Sequence, residues 1–313
     1  MNELFYTELS RISEDISHIK EGDEKDLKKK YVLLIFRSII ETSSRIRREG
    51  LSPAEVSVMM KISGSDHKYL PEMLDMLAED MTPDLFEDIC MTRYYSEGYT
   101  GYEALIFLIS MRGVMAISQS DNPYVVEDKL IAMLPEDIRK EYEDSASEDG
   151  NMAGLYDKRL IDKQCEGEIP FKPSDRGYIV AKLADCAIRG MDDTSVRVLL
   201  EYIDHKDLLI CMRGMSGVAR KKIFDNQSSR LSLMIADDME HCEPVAVTEV
   251  VSELDKLVGT MTRLMDNGIV GYQESEALNL IYEIYSGETE DITEKKMQLK
   301  EVFNEYSAGG RMI

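Results

Sequence analysis

Strand-like alternation is scarce in this sequence, tryptophan is absent, and no two of its cysteines stand in a CxxC pair. The five cysteines (Cys90, Cys165, Cys186, Cys211 and Cys242) are scattered and odd in number. That argues against a disulfide framework and reads as free thiols in a reducing cytoplasm. The four histidines (His18, His67, His205 and His241) lie far apart, and neither HExxH nor a Cys/His cluster offers zinc a site. No GxGxxG after a strand, no P-loop and no GxSxG is present, so the common enzyme signatures are missing too. Basic residues are outnumbered 37 to 60, for a net charge of -23. DNA, RNA and anionic lipid would repel such a chain, whereas basic protein patches would attract it. The longest apolar runs, Tyr31–Phe36 and Ala104–Ile109, fall far short of the ~20 residues of a membrane helix. Residues 1–20 alternate apolar and charged side chains and carry no apolar signal-peptide core. The expectation is a soluble protein with no membrane span, no cofactor and no bound metal.

What the sequence does contain is helix. Hydrophobic residues make up 43% of 313, enough for real cores in two or three domains. Residues 23–49 read as one long helix, with Gly50 at its C′ position. Ser52-Pro53-Ala54-Glu55 then spells a capping box with proline at N1. Thr82-Pro83 and Asn122-Pro123 open further helices, and Asp192-Asp193 caps another. Helices are also expected over about 228–240 and 248–266, the latter stopped by Asn267-Gly268. Between them the chain is acidic and rich in Gly and Pro, which predicts a linker over 143–173. The organisation expected is a helical domain over 1–142, that linker, a second helical domain over 174–272 and C-terminal helices over 273–313.

Along the helix at 228–240, Leu231, Ile235 and Met239 form an apolar side, with Cys242 just beyond. Arg230, Asp237 and His241 fall within roughly 40° of one another on the flank, by 100° per residue. Asp238 sits nearer the apolar edge. This predicts an outward ridge of charges of both signs. An exposed pair on it would contribute ~0–1 kcal/mol, which suits a contact that forms and releases repeatedly.

The runs Asp192-Asp193-Thr194-Ser195-Val196, Asp207 to Met215, Asn226 to Met239, Glu243-Pro244-Val245 and Gly268-Ile269-Val270 resemble the C-terminal domain of the flagellar rotor protein FliG in order and spacing. The resemblance implies an armadillo-like, right-handed superhelical module. It assigns torque-linked charges to Arg213, Arg230, Asp237 and Asp238. The family pattern has a further Arg where this chain has Ala246, and a Met-Phe-x-Phe hinge where it has Tyr178-Ile179-Val180 nearby.

Upstream, residues 41–51 resemble the start of the cytoplasmic segment of the stator protein MotA, and residues 109–130 resemble that family's C-terminal tail. The likeness extends over about 31–139 and lacks the membrane helices between the two pieces. It implies Arg47 and Glu55 as rotor-facing charges. Glu55 is equally the N3 residue of its own capping box, and Arg47 equally a cation complementing a helix C-terminus.

Together these readings predict an all-α, non-enzymatic flagellar motor protein at the cytoplasmic face of the basal body. Its partners would be FliG-like rotor or MotA-like stator proteins, and homo-oligomers remain open. The alternative is a helical scaffold or regulatory interaction protein outside motility.

Overall fold

The computed structural model describes residues 3–63, 67–78, 81–149, 159–172, 175–241 and 243–271, together with isolated positions at 279, 294, 295, 297 and 298. Among the described residues every regular element is an α-helix, so the all-α expectation is met. The chain divides into two compact units, Met1–Asp157 and Lys158–Ile313.

The first unit holds α1 (Glu3–Ser17), α2 (Asp23–Glu49), α3 (Pro53–Ile62), α4 (Leu70–Ala78), α5 (Pro83–Glu97), α6 (Gly101–Ser118), α7 (Pro123–Ile131) and α8 (Glu136–Asp149). Local chemistry sets these boundaries. Gly50 ends α2 at φ 68°, a left-handed value that glycine adopts without a Cβ penalty. Ser52 accepts from the Glu55 amide, and Glu55 accepts from the Ser52 amide, so the capping box is complete. Thr82 and Asn122 cap α5 and α7 through their side chains, each with proline following at N1.

The core of this unit is built around α6, which packs against α1, α2, α4, α5 and α7. By length and composition α6 could cross a membrane, yet 83% of it is buried within the unit. Counting uninterrupted apolar residues understated this helix, because Ser110, Arg112 and Gly113 break the run without breaking the buried face. Phe107 from α6 meets the rings of Tyr69, Tyr94 and Tyr99 at centroid distances of 5.0–6.0 Å, an edge-and-tilt cluster that adds directional packing to area burial.

The second unit holds α9 (Arg159–Gln164), α10 (Arg176–Gly190), α11 (Asp193–Leu200), α12 (His205–Arg213), α13 (Gly217–Asp225), α14 (Ser229–His241) and α15 (Val247–Asp266). The long α15 lays Val250, Leu254, Leu257, Val258, Met261 and Leu264 against α10 and α12. Asp192 caps α11 by accepting from the Ser195 amide at 2.8 Å. Buried Asp185 accepts from the Ser216 amide at 2.8 Å and so fixes the turn into α13.

The expectation of a linker over 143–173 needs correction at both ends. Residues 143–149 continue α8, and residues 159–172 belong to the second unit. Apolar Leu160, Ile161, Ile169 and Phe171 pack on that unit's core and anchor the stretch. Two of its backbone carbonyls tie it down further. The Gly217 amide donates to Gly167 at 2.8 Å. The Arg220 guanidinium donates to Gln164 O at 3.0 Å and to Met215 O at 2.8 Å. Gly217 must be glycine, because a Cβ there would lie 1.9 Å from the Cys165 carbonyl oxygen. The C-terminal helices expected over 273–313 lie outside the described residues, apart from helical positions at 279, 294, 295, 297 and 298.

Candidate protein-interaction face

The site is assembled from α12, α14 and the start of α15. Arg213 is the last residue of α12 and is half-buried. Its side chain lines a cleft of about 510 Å³ with Phe171 from the preceding strap, Pro244 and Val245 from the α14–α15 loop, and Val251 from α15. Asp175 lines the same cleft, so its mostly apolar walls hold a cation and a carboxylate together, where charges are screened less than in open water.

At the other end of α12, His205 Nε2 lies 3.0 Å from Asp238 Oδ2 on α14. The Asp238 side chain is 13% exposed. Asp237, its neighbour in sequence, is 0% exposed. The His241 ring sits one turn further along, with Nδ1 2.9 Å from the Asp237 carbonyl and 3.5 Å from Oδ1. Glu240 receives Lys163 Nζ at 2.5 Å and Gln164 Nε2 at 3.1 Å, which joins α9 to α14. The hydrogen bond from Lys163 is the main reason the Glu240 carboxyl is held below its ordinary range.

The charged ridge expected on α14 is therefore only partly present. Asp237 faces inward, not outward, and this corrects the expectation. The buried side of α14 carries Ser232, Leu233, Ile235, Ala236 and Asp237. It centres on Ala236, about 100° around from Ile235. The cause is that α9, α12 and α13 all pack on this helix, so its buried arc is wider than its apolar stripe. Ser232 enters that arc by donating to the Phe224 carbonyl at 2.9 Å. Arg230 is half-buried in the first turn of α14. Arg213 and Asp238 fall at opposite ends of α12, about 12 Å apart along its axis at 1.5 Å per residue. Ala246 is exposed at the N-cap of α15, where no side chain caps the helix.

In the first unit, Arg47 donates to the Ser120 carbonyl at 3.4 Å and is half-buried. Glu55 is exposed, but both the amide and the hydroxyl of Ser52 donate to its carboxylate at 2.8 Å. The Ser52 amide is the main cause of its lowered pKa. Its charge is thus committed first to the helix N-terminus.

Reasoning from sequence missed His205, Lys163 and Glu240. The spacing of His241 from Asp237, four residues on a helix, was a readable signal. The cross-helix partners gave no local one. Nucleophilic chemistry finds little support here: burial pushes the thiols of Cys90 and Cys211 up to about 11 and about 12, so they stay protonated at neutral pH. Among the described residues no group of His, Cys, Asp or Glu could hold a metal ion.

The second unit is accordingly helical in all its described regular elements, with charged and apolar side chains of both α12 and α14 on one face. Residues 186–271 match the family model of the FliG C-terminal domain. The chain is also similar to flagellar motor switch proteins FliG: 31% identical over 81 residues to that of Thermotoga maritima (26% of this chain, 24% of the relative), and 28% over 110 residues to that of Pseudomonas aeruginosa (35% and 30%). For the FliG of Borreliella burgdorferi the identity is 27% over 145 residues (46% and 42%). The likeness spans under half the length of each of these relatives. No solved structure matches the chain.

Proposed function

We propose that this protein is a non-enzymatic, flagellar motor-associated protein that binds rotor or stator components through charged helix faces and so adjusts motor assembly or torque. The observation that carries the reading is the match of residues 186–271 to the FliG C-terminal domain, with Arg213 standing in a cleft beside Pro244 and Val245. Arg213, Arg230 and Asp238 are the side chains offered to a stator, with Asp237 beneath them as a buried support. The first unit, whose sequence over about 31–139 resembles the MotA cytoplasmic region, offers Arg47 and Glu55 to a rotor. In this reading the protein works at the cytoplasmic face of the basal body. Buried Asp237 and the alanine at 246 favour a second reading, a FliG-derived helical scaffold that has lost torque contacts.

The test uses the full chain, immobilised, against purified rotor and stator proteins at low and high salt. Binding at low salt, weakened by salt and by Arg213→Glu, supports the proposal. No association with either partner at low salt would overturn it.

A further inference from the structure

The outer side of α2 carries a regular pattern that the reading above leaves unused. Leu27 and Leu34 are 69% and 49% exposed, and Lys30 and Arg37 are exposed beside them. Leucine recurs after seven residues, and so does the cation, three residues behind each leucine. At 100° per residue the four side chains fall within about 80° of one another and form a single stripe. Between this stripe and α8 lies a groove of about 260 Å³, lined by Lys30, Leu33, Leu34, Arg37, Glu141 and Ser145.

The neighbouring lysines on α2 have work within the unit. Lys25 pairs with Glu21 at 2.5 Å, Lys28 with Glu24 at 2.8 Å and Lys29 with Asp137 at 2.7 Å. Lys30 has no ion-pair partner among the described residues. Arg37 donates only to a neutral hydroxyl there, that of Ser145, at 2.8 Å. In a chain of net charge -23, two cations alternate with two exposed leucines along the stripe, with Glu141 the one carboxylate lining the groove. A seven-residue apolar repeat flanked by charge is the pattern that receives another helix.

We propose that this stripe is the docking surface for an acidic amphipathic helix of a partner protein, with apolar side chains at seven-residue spacing and carboxylates facing Lys30 and Arg37. A second copy of the same chain fits poorly: a two-fold pairing of α2 on α2 would set Lys30 and Arg37 against each other. The surface belongs to the first unit and does not depend on the FliG-like region.

The test measures fluorescence anisotropy of two labelled synthetic helices titrated with the full chain. Both carry leucine every seven residues, one with glutamate and the other with lysine at the flanking places. The glutamate helix should bind at least about tenfold more tightly, and less so as salt rises. Leu34→Asp should abolish the binding. The double variant K30E/R37E should reverse the preference between the two helices. All three substituted side chains are exposed, and unchanged thermal melting checks that each variant folds. Equal binding of both helices, no binding of either, or an undiminished affinity in Leu34→Asp would overturn the assignment. So would concentration-dependent self-association that Leu27→Asp and Leu34→Asp remove, because it would make the occupant a second copy.

Discussion

His205 and Asp238 bridge two helices: the imidazole Nε2 of the first stands 3.0 Å from Oδ2 of the second, at the start of α12 and the third turn of α14. This contact ties Asp238, whose side chain keeps 13% of its surface exposed, to α12, while Asp237, one residue earlier, turns fully inward. Two adjacent carboxylates on one helix thus have separate tasks. One bridges to the neighbouring helix with an edge left to solvent, and the other is part of the interior.

That division predicts opposite outcomes for the two residues. Asp237→Ala removes a buried polar side chain from among groups arranged around it, and should cost about 1–3 kcal/mol of stability. Asp238→Ala breaks a pair whose histidine is 38% exposed and should cost only about 1 kcal/mol. Urea denaturation of the two variants measures both. In stator-binding assays the order should invert at temperatures where both variants remain folded: Asp238→Ala weakens association, and Asp237→Ala leaves it near the parent value. Equal stability losses would mean that the two aspartates do not differ in role.

The strap over residues 165–172 should be intolerant of a single methyl group on α13. A Cβ at Gly217 would meet backbone, at 1.9 Å from the Cys165 carbonyl oxygen and 2.4 Å from its carbon. Backbone cannot rotate away as a side-chain tip can. Gly217→Ala should also displace the bond from its own amide to Gly167. The expected cost is about 1–3 kcal/mol. Limited proteolysis should then cut within 159–172, where the parent protein resists. A variant that melts and digests like the parent would show the strap to be loosely held.

The Lys163–Glu240 bridge between α9 and α14 gives a pH dependence with a definite sign. The Glu240 carboxyl is held below its ordinary value of 4.5, chiefly by the hydrogen bond from Lys163. A carboxylate with a depressed folded-state pKa stabilises the fold above its unfolded value and loses that contribution as pH falls through the folded one. Lys163→Gln should therefore lower stability near neutral pH, by less than about 1 kcal/mol because the lysine is largely exposed. The difference from the parent should fade as pH drops below 4.5. Melting temperatures of both proteins across that range provide the measurement. A gap that stays constant down to the acid end would contradict the ion pair.

Much of the helical scaffold was readable before any coordinates. Gly50, the Ser52–Glu55 box, Pro83, Pro123 and Asn267-Gly268 punctuate the chain through local backbone chemistry, and local chemistry is written in neighbouring residues. The face of α14 was not readable in the same way. An apolar stripe marks a helix packed on one side, but α14 is gripped by α9, α12 and α13, and its interior takes in Ser232 and Asp237. The strap was misread for a related reason: Gly167 and Pro170 signal irregular backbone truthfully, but only distant Gly217 and Arg220 reveal that the irregular backbone is anchored. Cross-helix partners such as His205 lie 33 residues from what they touch, beyond any local pattern.

Ala246 offers the sharpest test of whether the FliG-like face is a working contact. The FliG pattern places an arginine there, two residues after the proline. In this chain the position is the exposed N-cap of α15, next to the cleft lined by Pro244, Val245 and Arg213. Ala246→Arg adds a cation where no side chain is displaced, so stability should change by no more than about 0.5 kcal/mol. The helix dipole opposes a cation at an N-terminus, and that sets the direction of the small change. Under the proposed function, affinity for a stator cytoplasmic domain should rise severalfold, with most of the gain at low salt and in the association rate. Surface plasmon resonance of both proteins at two ionic strengths gives both quantities. A gain in affinity that Arg213→Glu cancels would tie the two positions to one interface. No gain at either salt concentration would favour the scaffold reading, in which this face no longer meets a stator.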